Sequence, residues 1–284
     1  MAQLTEKTID NSLALEQLEP EWEKLRADCQ SGNLCNSWLW IVTWCDTYLG
    51  KQDRLFVQCY YNQGRLIAII PVYLKKLFWG YQLRFVATGE PEKMEVCSEF
   101  QDFIIVEEYK EQIYELFSAK MASQKALVSL SFDNILTDSN VYTWWQKASL
   151  YQWKKTKLHL GFRYVLPVLA SQPEQLNSFK SKSTRRHARN FLARGNVQVT
   201  LLENMDEFGS YFDQLMVLHN SSWQQRGKHG AFEQAEFVKF HFLFAQKLLA
   251  KGQLVMFRLM HKEESVAVFY GIEDGDTLYY YQSG

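Results

Sequence analysis

The side chains of this sequence that could do chemistry lie mostly in its last hundred residues. His219 falls late on a predicted helix, one turn before Trp223. An imidazole titrates near neutral pH, so His219 can accept a proton from a nucleophile directly or through a water. The competing role is structural, with the ring bonded to a backbone carbonyl. His241 sits within the apolar stripe Phe237, Phe240, Phe244 and Leu248, a pattern that favours a core position. Between Lys180 and Arg194 the chain carries Lys182, Arg185, Arg186 and Arg189 and no acid. On a helix these four share a face through i+3 and i+4 steps. Such a face can hold the phosphates of a substrate or donor, dock on nucleic acid or anionic lipid, or serve as a solvated linker. The segment Trp223–Phe232 mixes glycine, basic and aromatic residues between two predicted helices. There Arg226 can bind an acidic group, Trp223 and Phe232 can wall a cleft, and Gly227 and Gly230 permit tight turns.

Composition restricts the choice of chemistry. The formal charge of −1 gives no overall attraction to nucleic acid, so a polyanion must be met locally. Five cysteines, all in the first third and without a CxxC pair, suggest reduced thiols rather than a disulfide framework or zinc site. No His, Cys and Asp cluster has ligand spacing, so no metal is expected. The acidic N-terminal stretch lacks the apolar core of a signal peptide, and no window approaches a membrane span. A cytoplasmic protein is the expectation.

The elements that must position these residues follow from periodicity. Helices are expected over 19–29 and 37–49, the second with Trp40, Ile41, Trp44 and Tyr48 on one stripe and Ser37 as its cap. Asn62-Gln63-Gly64 should turn a hairpin between strands 55–61 and 65–74. Short strands at 83–87 and 103–106, a helix at 111–121, a strand at 126–132, a helix at 142–148 and a strand at 164–169 complete the first part. A helix over 172–193, opening at Pro173, then leads to a strand at 197–202. Helices at 205–223 and 233–251 follow, the latter ended by Gly252. Strands at 254–260, 265–272 and 277–282 close the chain, joined by short polar turns.

Five segments carry a resemblance. They are Asn36-Ser37-Trp38, Gly64–Pro71, Phe179–Arg189, the stretch Leu218-His219 through Trp223, Arg226, Gly227 and Phe232, and Val266–Tyr270 with Leu278–Gly284. In this order they resemble the GNAT-like acyltransferases that include FemAB-type enzymes and acetyltransferases of cellulose biosynthesis. The resemblance implies an α/β fold of two GNAT-like halves, 1–170 and 171–284, each a mixed, mostly antiparallel sheet flanked by helices. It also implies that the second half is incomplete, because the helix that holds a coenzyme A pyrophosphate should follow the fourth strand. This chain is then expected to be weak or inactive. By the same resemblance, strand 277–282 would bind the donor carbonyl through a backbone N–H, and Tyr279 or Tyr281 on one face of it would protonate the leaving thiolate. Plain aromatic packing is the competing role of these tyrosines.

The activity implied is transfer of an acyl group, with acetyl-CoA or another acyl-CoA as donor. The acceptor would be an amine or hydroxyl of a small or carrier-linked molecule such as a sugar, amino acid or envelope precursor. No stable nucleic-acid partner is expected. One alternative is a FemAB-type transferase using aminoacyl-tRNA, against which the absence of sustained heptads argues. Another is a non-catalytic module that binds an acidic polymer through the basic helix.

Overall fold

Capping and apolar spacing start the fold. The computed structural model describes residues 4–29, 32–148, 154, 156 and 181–284; the expected strand 164–169 and residues 172–180 lie outside them. Strand β1 (Thr5–Ile9) leads into helices α1 (Ser12–Gln17), α2 (Glu19–Asp28) and α3 (Trp38–Tyr48). Asn11 and Ser37 accept from the backbone N–H groups of Ala14 and Trp40, capping α1 and α3 as such side chains do. β1 and α1 were not expected from the sequence. Each is only five or six residues long, too short for a period to register.

Next come β2 (Arg54–Leu55), β3 (Val57–Asn62), β4 (Arg65–Ile70), β5 (Val72–Leu77) and β6 (Gly80–Phe85). Gln63 and Gly64 both take positive φ (49° and 81°), the geometry a tight hairpin turn demands. Pro71, which has no N–H to give a ladder, marks where this long hairpin passes from one sheet to another. One sheet runs β1-β3-β4-β7, with β7 at Ile104–Ile105. The other runs β2-β5-β6-β8, with β8 (Leu127–Ser131) parallel to β6. Helix α4 (Lys110–Ser123) precedes β8, and α5 (Asn140–Lys147) follows it. The buried Asp102 carboxylate accepts from the N–H groups of Asn140 and Val141 at 2.8 and 2.7 Å, closing the start of α5.

The second half has α6 (Lys182–Leu192), β9 (Val197–Leu201), α7 (Met205–Gln224), α8 (Ala235–Ala250), β10 (Leu254–His261), β11 (Glu264–Asp274) and β12 (Thr277–Ser283). Its four strands form one antiparallel sheet in the order β12-β11-β10-β9. Within the described part of the expected helix 172–193, Ser181 is non-helical (φ −60°, ψ 156°) and its hydroxyl accepts from Thr184 N, so α6 begins at Lys182.

The protein is thus a mixed α/β structure of several sheets flanked by helices. Each half runs a strand, then helices, then further antiparallel strands laid beside the first in order. One apolar core lies under α4 and α5 in the first half. The other crosses the seam between the halves. There Trp40 of α3 meets Phe240 and Phe244 of α8 edge-on at 4.9 and 5.0 Å, and Tyr48 meets Phe240 at 6.1 Å. Burying each such side chain stabilises by about 1.5–3 kcal/mol. Arg26 of α2 adds a bidentate ion pair with Asp274 of β11 at 2.8 and 2.9 Å.

Candidate functional site

Helix α7 buries Phe208, Tyr211, Phe212, Leu215 and His219 on one stripe. His219 is therefore the single imidazole at the end of an otherwise apolar and aromatic row. Its Nδ1 lies 3.1 Å from the backbone carbonyl of Ser283, near the end of β12. Among the described residues β12 is the edge of its sheet, and Gly284 exchanges both ladder hydrogen bonds with Val268 of β11. The Ser283 carbonyl consequently faces outward, and His219 caps it. Since a carbonyl only accepts, Nδ1 carries the proton and donates. The neutral ring then presents Nε2 as an acceptor. That atom is buried and, among the described residues, has no hydrogen-bond partner. Burial lowers the imidazole pKa, opposed by the Ser283 bond, so the ring is neutral at physiological pH.

The approach of β12 to α7 is close enough to dictate a residue. A Cβ at Gly284 would stand 2.8 Å from both His219 N and Leu215 O, so glycine is what lets the strand end lie against the helix. Further along, β12 carries a bulge: Gly271 pairs with Tyr280 and Tyr270 with Gln282, leaving Tyr281 as the extra residue.

Three of the expected site residues gather at His219. The Phe232 ring stands edge-on at 5.1 Å and the Trp223 ring lies at 6.0 Å. Phe232 is buried against Phe212 and Phe237 as well, so it walls the imidazole from the core side. Arg226 joins through Trp223, its guanidinium 5.7 Å from the indole, and Lys228 approaches the same ring at 5.7 Å. Arg226, Gly227 and Lys228 are exposed.

The tyrosines of β12 are placed differently. Tyr279 and Tyr281 pack on the shared core while Tyr280 is exposed. Tyr281 donates its hydroxyl to the Val96 carbonyl of the first half at 2.7 Å. Its ring lies 4.6 Å from His241, 5.5 Å from Tyr270 and 6.0 Å from Trp40. Burial holds the phenol well above its ordinary pKa. Its proton is thus committed across the seam. His241 is fully buried among these rings, 3.5 Å from the Tyr270 hydroxyl, and burial depresses its pKa to about 3.

Lys182, Arg185, Arg186 and Arg189 are exposed on α6, with no ion pair among the described residues. The opposite face of α6 is held by Phe191, which packs 6.0 Å from His261 at the end of β10. Phe191 thus anchors α6 at the His261 end of β10, whereas Ser283 at the end of β12 lies level with Phe257, further back along that strand. The structure does not bring the stripe into contact with His219.

Sequence reasoning missed Asn220, whose buried Oδ1 also lacks a partner and which packs so tightly on Gly230 that a Cβ there would lie 2.2 Å away. It also missed Val96, which no local pattern links to a tyrosine 185 residues away. An apolar groove of about 480 Å³, lined by Glu233, Gln234, Ala235, Val238, Lys239, Phe242 and Leu243, runs along the start of α8 and includes none of His219, Tyr279 or Tyr281. Among the described residues no group of three or more His, Cys, Asp or Glu is placed to hold a metal ion, and no helix is long and apolar enough to cross a membrane.

A search of curated proteins finds no match to the chain. Its second half, residues 178–284, running through α6 to the end of β12, matches the family model described as an acetyltransferase (GNAT) domain.

Proposed function

We propose that the protein belongs to an acyl-transfer system in which His219 is the proton acceptor, acting on an amine or hydroxyl that attacks an acyl thioester, with acetyl-CoA the favoured donor. The observation that carries this reading is the pair of bonds His219 makes and lacks: Nδ1–H held by the Ser283 carbonyl, Nε2 buried and without a partner among the described residues. A fixed tautomer with a free lone pair is what general-base catalysis requires. The nucleophile's proton passes to Nε2 as its lone pair attacks the carbonyl carbon. The carbon–sulfur bond then breaks, and the thiolate takes up the proton held on Nε2, which restores the neutral ring. Nε2 is closed to solvent, so substrate reaches it by displacing the exposed segment after Trp223.

Two features support a thioester with a long, phosphate-bearing arm. Among the described residues β12 is an edge strand, which offers outward backbone groups to an extended acyl chain. The exposed cations of α6 suit phosphates at the far end of such an arm. The first half is the poorer host, since Glu107, Glu108 and Glu111 crowd the N-terminus of α4 and oppose an anion there. Tyr281 serves to hold β12 against the first half.

The test is His219→Gln, which removes the base, beside His219→Asn, which also has no base but whose amide nitrogen takes the place of Nδ1 and retains a donor for the Ser283 carbonyl. Acyl transfer from acetyl-CoA should fall about 100-fold or more, with the thermal midpoint little changed. Unchanged turnover would assign His219 a purely structural role. The exposed α6 stripe favours a second reading, a polyanion-binding module. That reading predicts affinity for acidic polymer that collapses with salt and is indifferent to His219→Gln.

A further inference from the structure

Hairpin β5–β6 turns through two residues, Phe78 and Trp79. Two-residue turns favour Asn-Gly and similar pairs, whose positive φ suits the strand twist. Neither Phe78 nor Trp79 takes positive φ, and nothing in the turn geometry asks for an aromatic residue. Both are nevertheless among the most exposed apolar side chains of the protein, at 84% and 85%. Their rings meet edge-on at 4.5 Å, which holds them together as one apolar knob. Val128 of β8, 45% exposed, adds to it, because Gly80 packs directly on the Ala126 carbonyl and the Val128 side chain.

Cations lie on the strands and turns behind the knob. Arg54 and Lys76 flank the Tyr81 ring at 4.8 and 5.0 Å, and Lys51 and Lys125 are exposed on the neighbouring turn and strand end. Asp53 nearby is a single carboxylate, held by the backbone N–H groups of Gly50 and Lys76, against the four cations. A convex aromatic tip backed by positive charge, on a chain of net charge −1, is a local device. Tryptophan and phenylalanine partition into the bilayer interface, and lysine and arginine are drawn to anionic headgroups.

We propose that the Phe78–Trp79 tip docks the protein on an anionic lipid bilayer, the two rings entering the interface and Arg54, Lys76, Lys51 and Lys125 contacting headgroups. The surface is separate from His219 and from the α6 stripe.

The experiment is cosedimentation of the full chain with vesicles of phosphatidylcholine alone or mixed with phosphatidylserine. The variants are Phe78→Ser/Trp79→Ser and, separately, Arg185→Gln/Arg186→Gln/Arg189→Gln, each checked for an unchanged thermal midpoint. Binding should require phosphatidylserine, weaken with salt, and fall about tenfold or more in the tip variant while the α6 variant binds normally. Three results would overturn the proposal: no binding to either vesicle, binding that survives loss of the tip but not of the α6 cations, or a concentration-dependent dimer abolished by the tip variant, which would assign the knob to a second copy of the chain.

Discussion

Acidification should unload the His241 site, and the size of the effect follows from its surroundings. His241 is fully buried, and its pKa falls from 6.5 to about 3 because the ring cannot take up charge among aromatic neighbours. The unfolded chain binds this proton from its ordinary pKa downward, while the folded chain does not. Stability from this group is therefore complete above about pH 6.5 and is lost as the pH falls toward 3. At about pH 5 the deficit is 1.5 pH units at ~1.36 kcal/mol each, or about 2 kcal/mol. Asp102 works in the opposite direction. Burial raises its carboxyl from 3.8 to about 6, so the folded state gains the proton first and is favoured as the pH falls through that window. The wild-type profile mixes the two, and the informative quantity is a difference. Urea unfolding of wild type and His241→Phe at about pH 7.5 and pH 5 should show the wild type losing about 2 kcal/mol more than the variant between the two pH values. Equal pH dependence in both proteins would refute the idea that His241 is held neutral by burial.

Further expectations concern the seam and the strand end. Tyr281→Phe leaves the Val96 carbonyl without its donor and should cost about 1–3 kcal/mol in denaturant unfolding. Asp274→Ala strips Arg26 of its bidentate partner while Glu23 remains at 2.7 Å, so a loss of about 2–3 kcal/mol is expected, measured in the same way. Gly284→Ala forces a methyl group onto backbone atoms of α7. It should lower acyl transfer together with His219→Gln rather than independently, as a double-mutant cycle on rate would show.

What the sequence disclosed and what it hid divide along physical lines. The second half was legible because α7 and α8 are long enough for the 3.6-residue period to register, and because short polar turns separate β10, β11 and β12. The Asn62-Gln63-Gly64 hairpin was legible for the chemistry of its turn. The next hairpin was hidden because Phe78-Trp79 carries no turn signature, so the start of β5 merges with β4 in one expected strand over 65–74 and β6 reads as a separate strand at 83–87. At the site, the neighbourhood of His219, Trp223, Arg226 and Phe232 was readable, since one helix and the segment after it carry all four. The bond from His219 to Ser283 and the one from Tyr281 to Val96 were not, because both depend on how sheets and helices close in three dimensions.

The shared core has a consequence for how the polypeptide can be divided. A fragment beginning at Ser181 would contain α6 and the whole four-stranded sheet, yet it would bare Phe240, Phe244 and Tyr281 to water and leave Asp274 without Arg26. Neither piece would inherit a finished surface. The two halves are accordingly co-dependents in synthesis: the ribosome releases the first with Trp40 and Tyr48 uncovered, and it stays adhesive until α8 emerges to cover it. Folding yield should hence respond to the pace of translation between the halves.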